Sequence, residues 1–257
     1  MSKNIIDKSI LSKMKKPLEQ LAYRGDLSLL DRPKVSIVGS RKPSQYTKQF
    51  THEIAKALAE RGVVIVSGAA MGVDAIAHRG AGADNTIAVL PSGIDMRYPA
   101  VNRELIESIE NKGLILSQFD NGFKATNWSF VLRNELVVAL GDVLIVTEAD
   151  ENSGSMRSVE YARQMNKQIF VLPHCIGQSR GTNSLLAGAE AKAIYNVDEF
   201  AAMFGNIVTS NIPKDEFYYF CQQHPTLDEA LLRFGNRVYE AELEGTIIVE
   251  DGRVLLR

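Results

Sequence analysis

The chain alternates short apolar runs with segments whose apolar residues recur at helical spacing. The runs are "VSIVG", "GVVIVSG", "NTIAVLPSG", "GLILSQF", "DVLIVTEA", "QIFVLP" and "AKAIYNV". Each is rich in Val, Ile and Leu without polar alternation, the pattern of strands buried on both faces of a parallel sheet. Between the first two lies "SQYTKQFTHEIAKALAERG", where Phe50, Ile54, Ala57 and Leu58 share one helical face. Ser44 suits its start and Gly62 its end. Strand and helix in repeated order predict an α/β fold, Rossmann-like and doubly wound, with a mostly parallel sheet.

The pattern changes after "VDEFAAMFG", where "NIVTSNIPKD" forms a polar link. "DEFYYFCQQH", "TLDEALLRFG" and "NRVYEAELEG" read as three short helices, the second opened by a capping box from Thr226 to Glu229. "TIIVEDGRVLLR" reads as a hairpin turning at Asp251 and Gly252. Three helices and a hairpin have the outline of a winged-helix module. The expected organisation is a helical or extended lead-in over 1–33, a Rossmann-like domain over 34–207 and a small winged-helix-like domain over 214–257.

A chain of 257 residues, 45% apolar and 23% charged, can bury a sizeable core and has the balance of a soluble globular protein. No run reaches the roughly 18 apolar residues of a membrane span, and "MSKNIIDKSILSKMKK" is too charged for a signal peptide, so a cytoplasmic location without membrane contact is expected. Cys175 and Cys221 stand apart, which predicts neither a disulfide framework nor a zinc cluster. His52, His78, His174 and His224 lack metal-ligand spacing. Asp74 and His78, at i and i+4 on one helix, predict a structural ion pair or hydrogen bond. No cofactor and no metal are expected.

Net charge is -2, which argues against a general nucleic-acid binder. The charge is uneven, however. Residues 214–257 hold five Lys or Arg against nine Asp or Glu, whereas Arg32, Lys34, Arg41, Lys42 and Lys48 fall in a stretch without acids. A local basic patch is expected there.

In a doubly wound fold, ligands sit beyond the carboxyl ends of the strands, at helix N-termini whose free N-H groups favour anions. "GSRKPS" follows the first run. Gly39 would let the backbone turn and approach a ligand, Ser40 follows it, Arg41 offers a fork of donors to phosphate, and Lys42 adds a point charge. The loop lacks G-x-G-x-x-G, and no P-loop pattern occurs in the chain. A solvated loop is the plain alternative. A second candidate is "NWSFVLRNELVVAL", where Trp128 and Phe130 neighbour Arg133 and Asn134, the mixture of aromatic faces and cations that holds single-stranded nucleic acid. Its alternative is a core helix with aromatics packed at its start. A third is "ENSGSMRSVEYA", where Ser153, Gly154 and Ser155 open a helix and suit an anion, or serve only as an N-cap. No Ser-His or Cys-His nucleophile motif stands out.

From "LAYRGDLSLLDRPKVSIVGSR" through "VIVSGAAMGVDAIAHRGA", "TIAVLPSGIDMRYPAVNREL", "GLILSQF", "SFVLRNELVVAL", "ADENSGSMRSVEYA" and "QIFVLP" to "GTNSLLAGA", the chain resembles the DNA processing protein A (DprA/Smf) family. The resemblance implies an extended Rossmann-like fold that binds single-stranded DNA, usually as a homodimer, and loads RecA onto it in natural transformation; with no nucleophile or metal motif in the chain, no catalysis is expected. It implies that Gly39, Ser40 and Arg41, helped by Lys42, clamp phosphates, and that Phe130, Arg133 and Asn134 match the family's F-x-x-R-N-R, with Phe130 stacking on a base. Ser153, Gly154 and Ser155 fit its S-G-S turn. Glu135 stands where the motif has a second arginine, which puts a phosphate contact there in doubt, and Glu160 is unusual. The family's N-terminal helical domain is expected to be missing, since residues 1–33 are too few for it. Glu240, Glu242 and Glu244 against Arg237 on the third C-terminal helix would repel phosphates, so that module is expected to meet protein or to pack. The competing reading is an enzyme, a nucleoside monophosphate phosphoribohydrolase of the lysine-decarboxylase-like family. Glu160 has the right spacing for its catalytic acid, but the P-G-G and G-T elements are absent.

Overall fold

The structure, a computed structural model, describes residues 14, 18, 21–206, 216–243 and 246–256. The chain divides into two units, Met1–Ile207 and Val208–Arg257. In the first, the apolar runs form β2 (Lys34–Val38), β3 (Val64–Ser67), β4 (Thr86–Leu90), β5 (Leu114–Ser117), β6 (Val143–Val146), β7 (Ile169–Val171) and β8 (Lys192–Ala193). With β1 (Ala22–Gly25) they make one sheet in the order β1-β5-β4-β3-β2-β6-β7-β8. All of the pairs are parallel except β1 with β5. The chain winds outward from β2 to β5, then returns to lay β6 on the other side of β2. The switch point therefore lies between β2 and β6.

Strand β1 falls in the segment read as a lead-in. Three of its four residues are exposed, so no apolar pattern marks it. It is an edge strand held by backbone pairing and by Arg24, whose guanidinium meets Glu110 at 2.7 Å.

Helices cover both faces, as two-sided burial requires. On one face lie α1 (Gln45–Ala59), α2 (Val73–Ala81), α3 (Arg103–Lys112) and α7 (Val197–Ala202); on the other lie α4 (Asn127–Leu140), α5 (Gly154–Gln164) and α6 (Arg180–Ala187). Val35 and Ile37 of β2 join Ile54 and Leu58 of α1, while Val38 joins the cluster containing Leu136 and Val159. Ile37, Ile65 and Ile87 are wholly buried, each stabilising the fold by about 1.5–3 kcal/mol.

Local chemistry sets the ends of the helices that build the site. The Ser44 hydroxyl accepts from the Thr47 N-H at 3.2 Å and starts α1, and Gly62, at φ 76°, follows its end. Thr126 and Ser129 form a capping box at the start of α4. At the other end of α4, the Lys167 ammonium donates to the carbonyls of Val138 and Ala139, both at 2.7 Å, which places a cation on the negative helix end.

The expected Asp74–His78 pair is not formed. Asp74 accepts from the Ala70 N-H at 3.3 Å, whereas His78 meets the Thr86 hydroxyl at 2.5 Å. Burial, with the Arg133 and Arg79 charges, pushes the His78 imidazole down to about 3, so it is neutral.

The second unit contains α8 (Glu216–Cys221), α9 (Leu227–Phe234) and α10 (Arg237–Leu243), then the hairpin of β9 (Ile247–Glu250) and β10 (Arg253–Leu256). Asp251 and Gly252 both have positive φ, as the tight hairpin turn demands. The Glu229 carboxylate accepts from the Thr226 N-H at 2.8 Å and completes the expected capping box. Phe217, Val238, Ile247 and Val254 form the core of this unit. Glu240 and Glu242 are exposed on α10, and Glu244 lies outside the described residues. Among the described residues, no helix is long and apolar enough to cross a membrane.

Candidate nucleic-acid interface

Beyond the carboxyl ends of β2 and β6 lies an open groove of about 750 Å³. The fold puts ligands at this crevice because strand order reverses here and the two departing chains diverge. One wall is the loop from β2 to α1, residues 39–44; the other is built by the starts of α4 and α5.

The first wall is packed from beneath. A Cβ on Gly39 would sit 2.7 Å from Val73 and 3.1 Å from the Thr147 hydroxyl. Glycine is therefore required at 39 by α2 and β6 pressing on the loop, a different reason from the turn read in the sequence. Gly72, at φ 79°, abuts the Ser40 carbonyl and the Arg41 backbone, and the Val73 N-H donates to the Ser40 carbonyl at 3.1 Å. The Ser40 hydroxyl accepts from the Lys42 N-H at 3.1 Å. Glu148 accepts from the Ser44 N-H at 3.0 Å and the Thr47 hydroxyl at 2.6 Å. Burial raises the Glu148 carboxyl, but these hydrogen bonds and the charge of His174 outweigh burial and hold it below the usual range, ionised and occupied. The loop is thus rigid, while the side chains of Arg41 and Lys42 are exposed.

The second wall brings aromatic and cationic groups to the first. The Arg41 guanidinium lies 4.9 Å from the Phe130 ring centroid, and that of Arg133 lies 5.8 Å from it. Phe130 is half-buried, with Tyr98 6.0 Å away between centroids. Arg133 is only 3% exposed and points inward. It donates to the carbonyls of Gly68 and Val89 and, through Nε, to the Asn134 Oδ1 at 2.9 Å. Burial lowers its guanidinium to about 10, against the favourable charge of Asp74, so it stays cationic. Burial likewise raises Asp74, which the Arg133 charge opposes. The Arg133 cation holds the groove floor together by bridging β3 and β4. Glu135 is buried, lines no part of the groove and neighbours Tyr161, so its carboxyl does not face the ligand space.

At the start of α5, Ser153 occupies the cap position without a side-chain cap hydrogen bond, and its buried hydroxyl has no partner among the described residues. A Cβ on Gly154 would meet nothing within 4 Å, so the start of the helix faces open space. Simple N-capping by Ser153 is therefore not what this turn does.

All ten residues singled out from the sequence, Gly39, Ser40, Arg41, Lys42, Phe130, Arg133, Asn134, Ser153, Gly154 and Ser155, line this one groove. The expected basic patch is divided. Arg32 donates to the Gly62 carbonyl and Asn85, and Lys34 to the carbonyls of Leu30 and Arg32, at the opposite end of β2. Sequence reasoning missed Gly68, Asp74, Glu148, His174 and Ser179 in the lining. Only Glu148 carried a signal, as an acid at the end of a predicted strand. Trp128 is 53% exposed beside Phe119 and Phe123, at 5.7 and 5.5 Å between centroids, and does not line the groove. Glu160, the acid of the enzymatic alternative, is exposed, 3.6 Å from Arg157, and does not line it either.

The sequence pattern of the family described as DNA recombination-mediator protein A matches residues 7–205. The chain belongs to that family. Within the DNA recombination-mediator protein A family, it is 37% identical over 179 residues to protein Smf of Synechocystis, covering 68% of this chain and 45% of that protein. It is 37% identical over 170 residues to DNA processing protein DprA of Streptococcus pneumoniae, covering 65% of this chain and 60% of that one. The chain thus spans about half the length of these relatives. Its fold matches DNA processing protein A from Helicobacter pylori, a structure concerned with that protein's single-stranded DNA binding mode, at TM-score 0.76 and 42% identity over 78% of this chain and 93% of that one. The Streptococcus pneumoniae structure matches at TM-score 0.73 and 33% identity over 79% and 72%.

Proposed function

We propose that the groove between the residue 39–44 loop and the starts of α4 and α5 binds single-stranded DNA. In this reading the protein protects incoming DNA in natural transformation, loads RecA onto it, and acts in the cytoplasm as a homodimer without catalysing a reaction. The observation that carries the reading is the meeting of exposed Arg41 with Phe130, beside a helix start whose serine hydroxyl has no partner among the described residues. Exposed cations follow phosphates, an aromatic ring offers a stacking face, and the positive end of α5, open at Gly154, suits a further anion. Support also comes from the Helicobacter pylori relative, whose structure concerns binding of single-stranded DNA.

The test is a titration of labelled oligothymidine at low salt, read by anisotropy and by fluorescence of Trp128, the sole tryptophan. Saturable binding that weakens steeply with salt is the expected result. No change in either signal at low salt would sink the proposal. Light scattering during gel filtration reads the dimer, and pull-down of RecA with and without bound oligothymidine reads the hand-over.

A further inference from the structure

We infer that a second cleft, between α1 and α2, carries phosphates of the same strand onward from the groove. This rests on the single-stranded DNA reading. Lys48, His52 and Glu53 of α1, flanked by Gln45 and Gln49, recur at helical spacing and face Ile76 and Arg79 of α2 across about 470 Å³. The helices touch beneath this cleft because position 80 is glycine: a Cβ there would lie 2.5 Å from the His52 carbonyl oxygen. Close approach of the backbones brings the long side chains of Lys48 and Arg79 to one channel.

The charges in this channel are uncommitted. Among the described residues, the side chains of Lys48, His52 and Arg79 form no hydrogen bond or ion pair. Glu53, the one acid lining the cleft, accepts from Gln49 at 3.0 Å. Elsewhere on the same helix Lys56 pairs with Glu60, whereas within the cleft the Glu53 carboxylate is hydrogen-bonded to Gln49 and paired with neither Lys48 nor Arg79.

The cleft adjoins the groove. Ser44 lines the first and Gln45, the next residue, lines the second. From Gln45 to His52 the helix rises about 10 Å, so cations run from Arg41 and Lys42 along α1 to Lys48 and across to Arg79. Among the described residues no Phe, Tyr or Trp lines the cleft, which leaves only the small imidazole of His52 for a base to stack on. The ligand chemistry is the phosphodiester backbone, bound without regard to sequence.

The experiment compares oligothymidine of about 6 and about 20 nucleotides, spanning the site sizes of single-strand grooves, on the whole chain and on the K48Q/R79Q variant. The short oligomer should bind both proteins alike. The long one should bind the variant more weakly, with the slope of log affinity against log salt smaller by about 1.4, two phosphate contacts at about 0.7 each. Equal binding of the long oligomer by both proteins, or equal weakening for the two lengths, would overturn the inference and leave the groove reading standing. Failure of the unaltered chain to bind the short oligomer would instead overturn the groove reading itself. Both substituted side chains are outside the core, and an unchanged melting temperature confirms the fold.

Discussion

The Arg41 guanidinium lies 4.9 Å from the centroid of the Phe130 ring, joining the two walls of the groove. A cation held over an aromatic face has its rotamers restricted before any ligand arrives, which lowers the entropy cost of binding a phosphate.

Arg41→Ala should therefore weaken oligothymidine binding by about 1.5–3 kcal/mol, the range of hydrogen bonds to charged groups. The salt slope should fall by about 0.7, and melting should hardly change because Arg41 is exposed. Anisotropy over a salt series and thermal unfolding check both.

Phe130→Ala should weaken binding by about 1–3 kcal/mol with little change in salt slope, since a ring carries no charge. Arg41 also loses its support in this variant, so the two substitutions should couple. The R41A/F130A double variant should lose less than the sum of the single losses, by about 0.5–1 kcal/mol. Strict additivity in anisotropy titrations would show that the contact has no role in binding.

Ser153→Ala separates a cap from a ligand contact. An N-cap serine normally contributes about 1 kcal/mol, but the Ser153 hydroxyl makes no hydrogen bond among the described residues. Stability should stay unchanged or rise slightly, while oligonucleotide affinity falls. A melting temperature lowered with affinity intact would reverse that assignment.

Gly72→Ala should distort the loop that carries Arg41. The added Cβ would lie 2.3 Å from the Ser40 carbonyl oxygen in a φ 79° conformation, a strain of about 1–3 kcal/mol. Thermal unfolding should register the loss, and oligonucleotide binding should weaken although no groove side chain has changed.

Arg133→Met removes the buried cation beside Asp74 and leaves two carbonyls without their donor, a loss of about 3–5 kcal/mol near neutral pH. The sign of its pH dependence follows from Asp74. Burial already raises that carboxyl, and loss of Arg133 raises it further. Stability tied to the protonated carboxyl is complete below its unfolded value of 3.8 and is lost as pH rises through the folded value. The deficit of the variant should therefore shrink on acidification below neutral pH, as urea unfolding at a series of pH values can show.

The apolar runs from "VSIVG" to "AKAIYNV" were legible because strands buried on two faces admit little but Val, Ile, Leu and Ala. Strand β1 was not, because an exposed edge strand is held by backbone pairing that leaves no apolar pattern. Ser44, Thr226 and the Asp251–Gly252 turn were legible because caps and tight turns are local chemistry.

The candidate site divides in the same way. The sequence by itself determined which groups gather beyond the sheet, since strand order and loop composition put "GSRKPS", "NWSFVLRNE" and "NSGSMR" at the ends of known elements. Only the tertiary structure decided which charges face the ligand. Arg41 and Arg133 are the same residue type, yet one is exposed and the other lies under the groove, donating to Gly68 and Val89. Arg32 and Lys34 sit a strand's length from Arg41, bound to carbonyls at the far end of β2. The physical reason is that burial and hydrogen-bond partners depend on neighbours distant in the chain, and a charge is available to a ligand only where folding leaves it solvated and uncommitted.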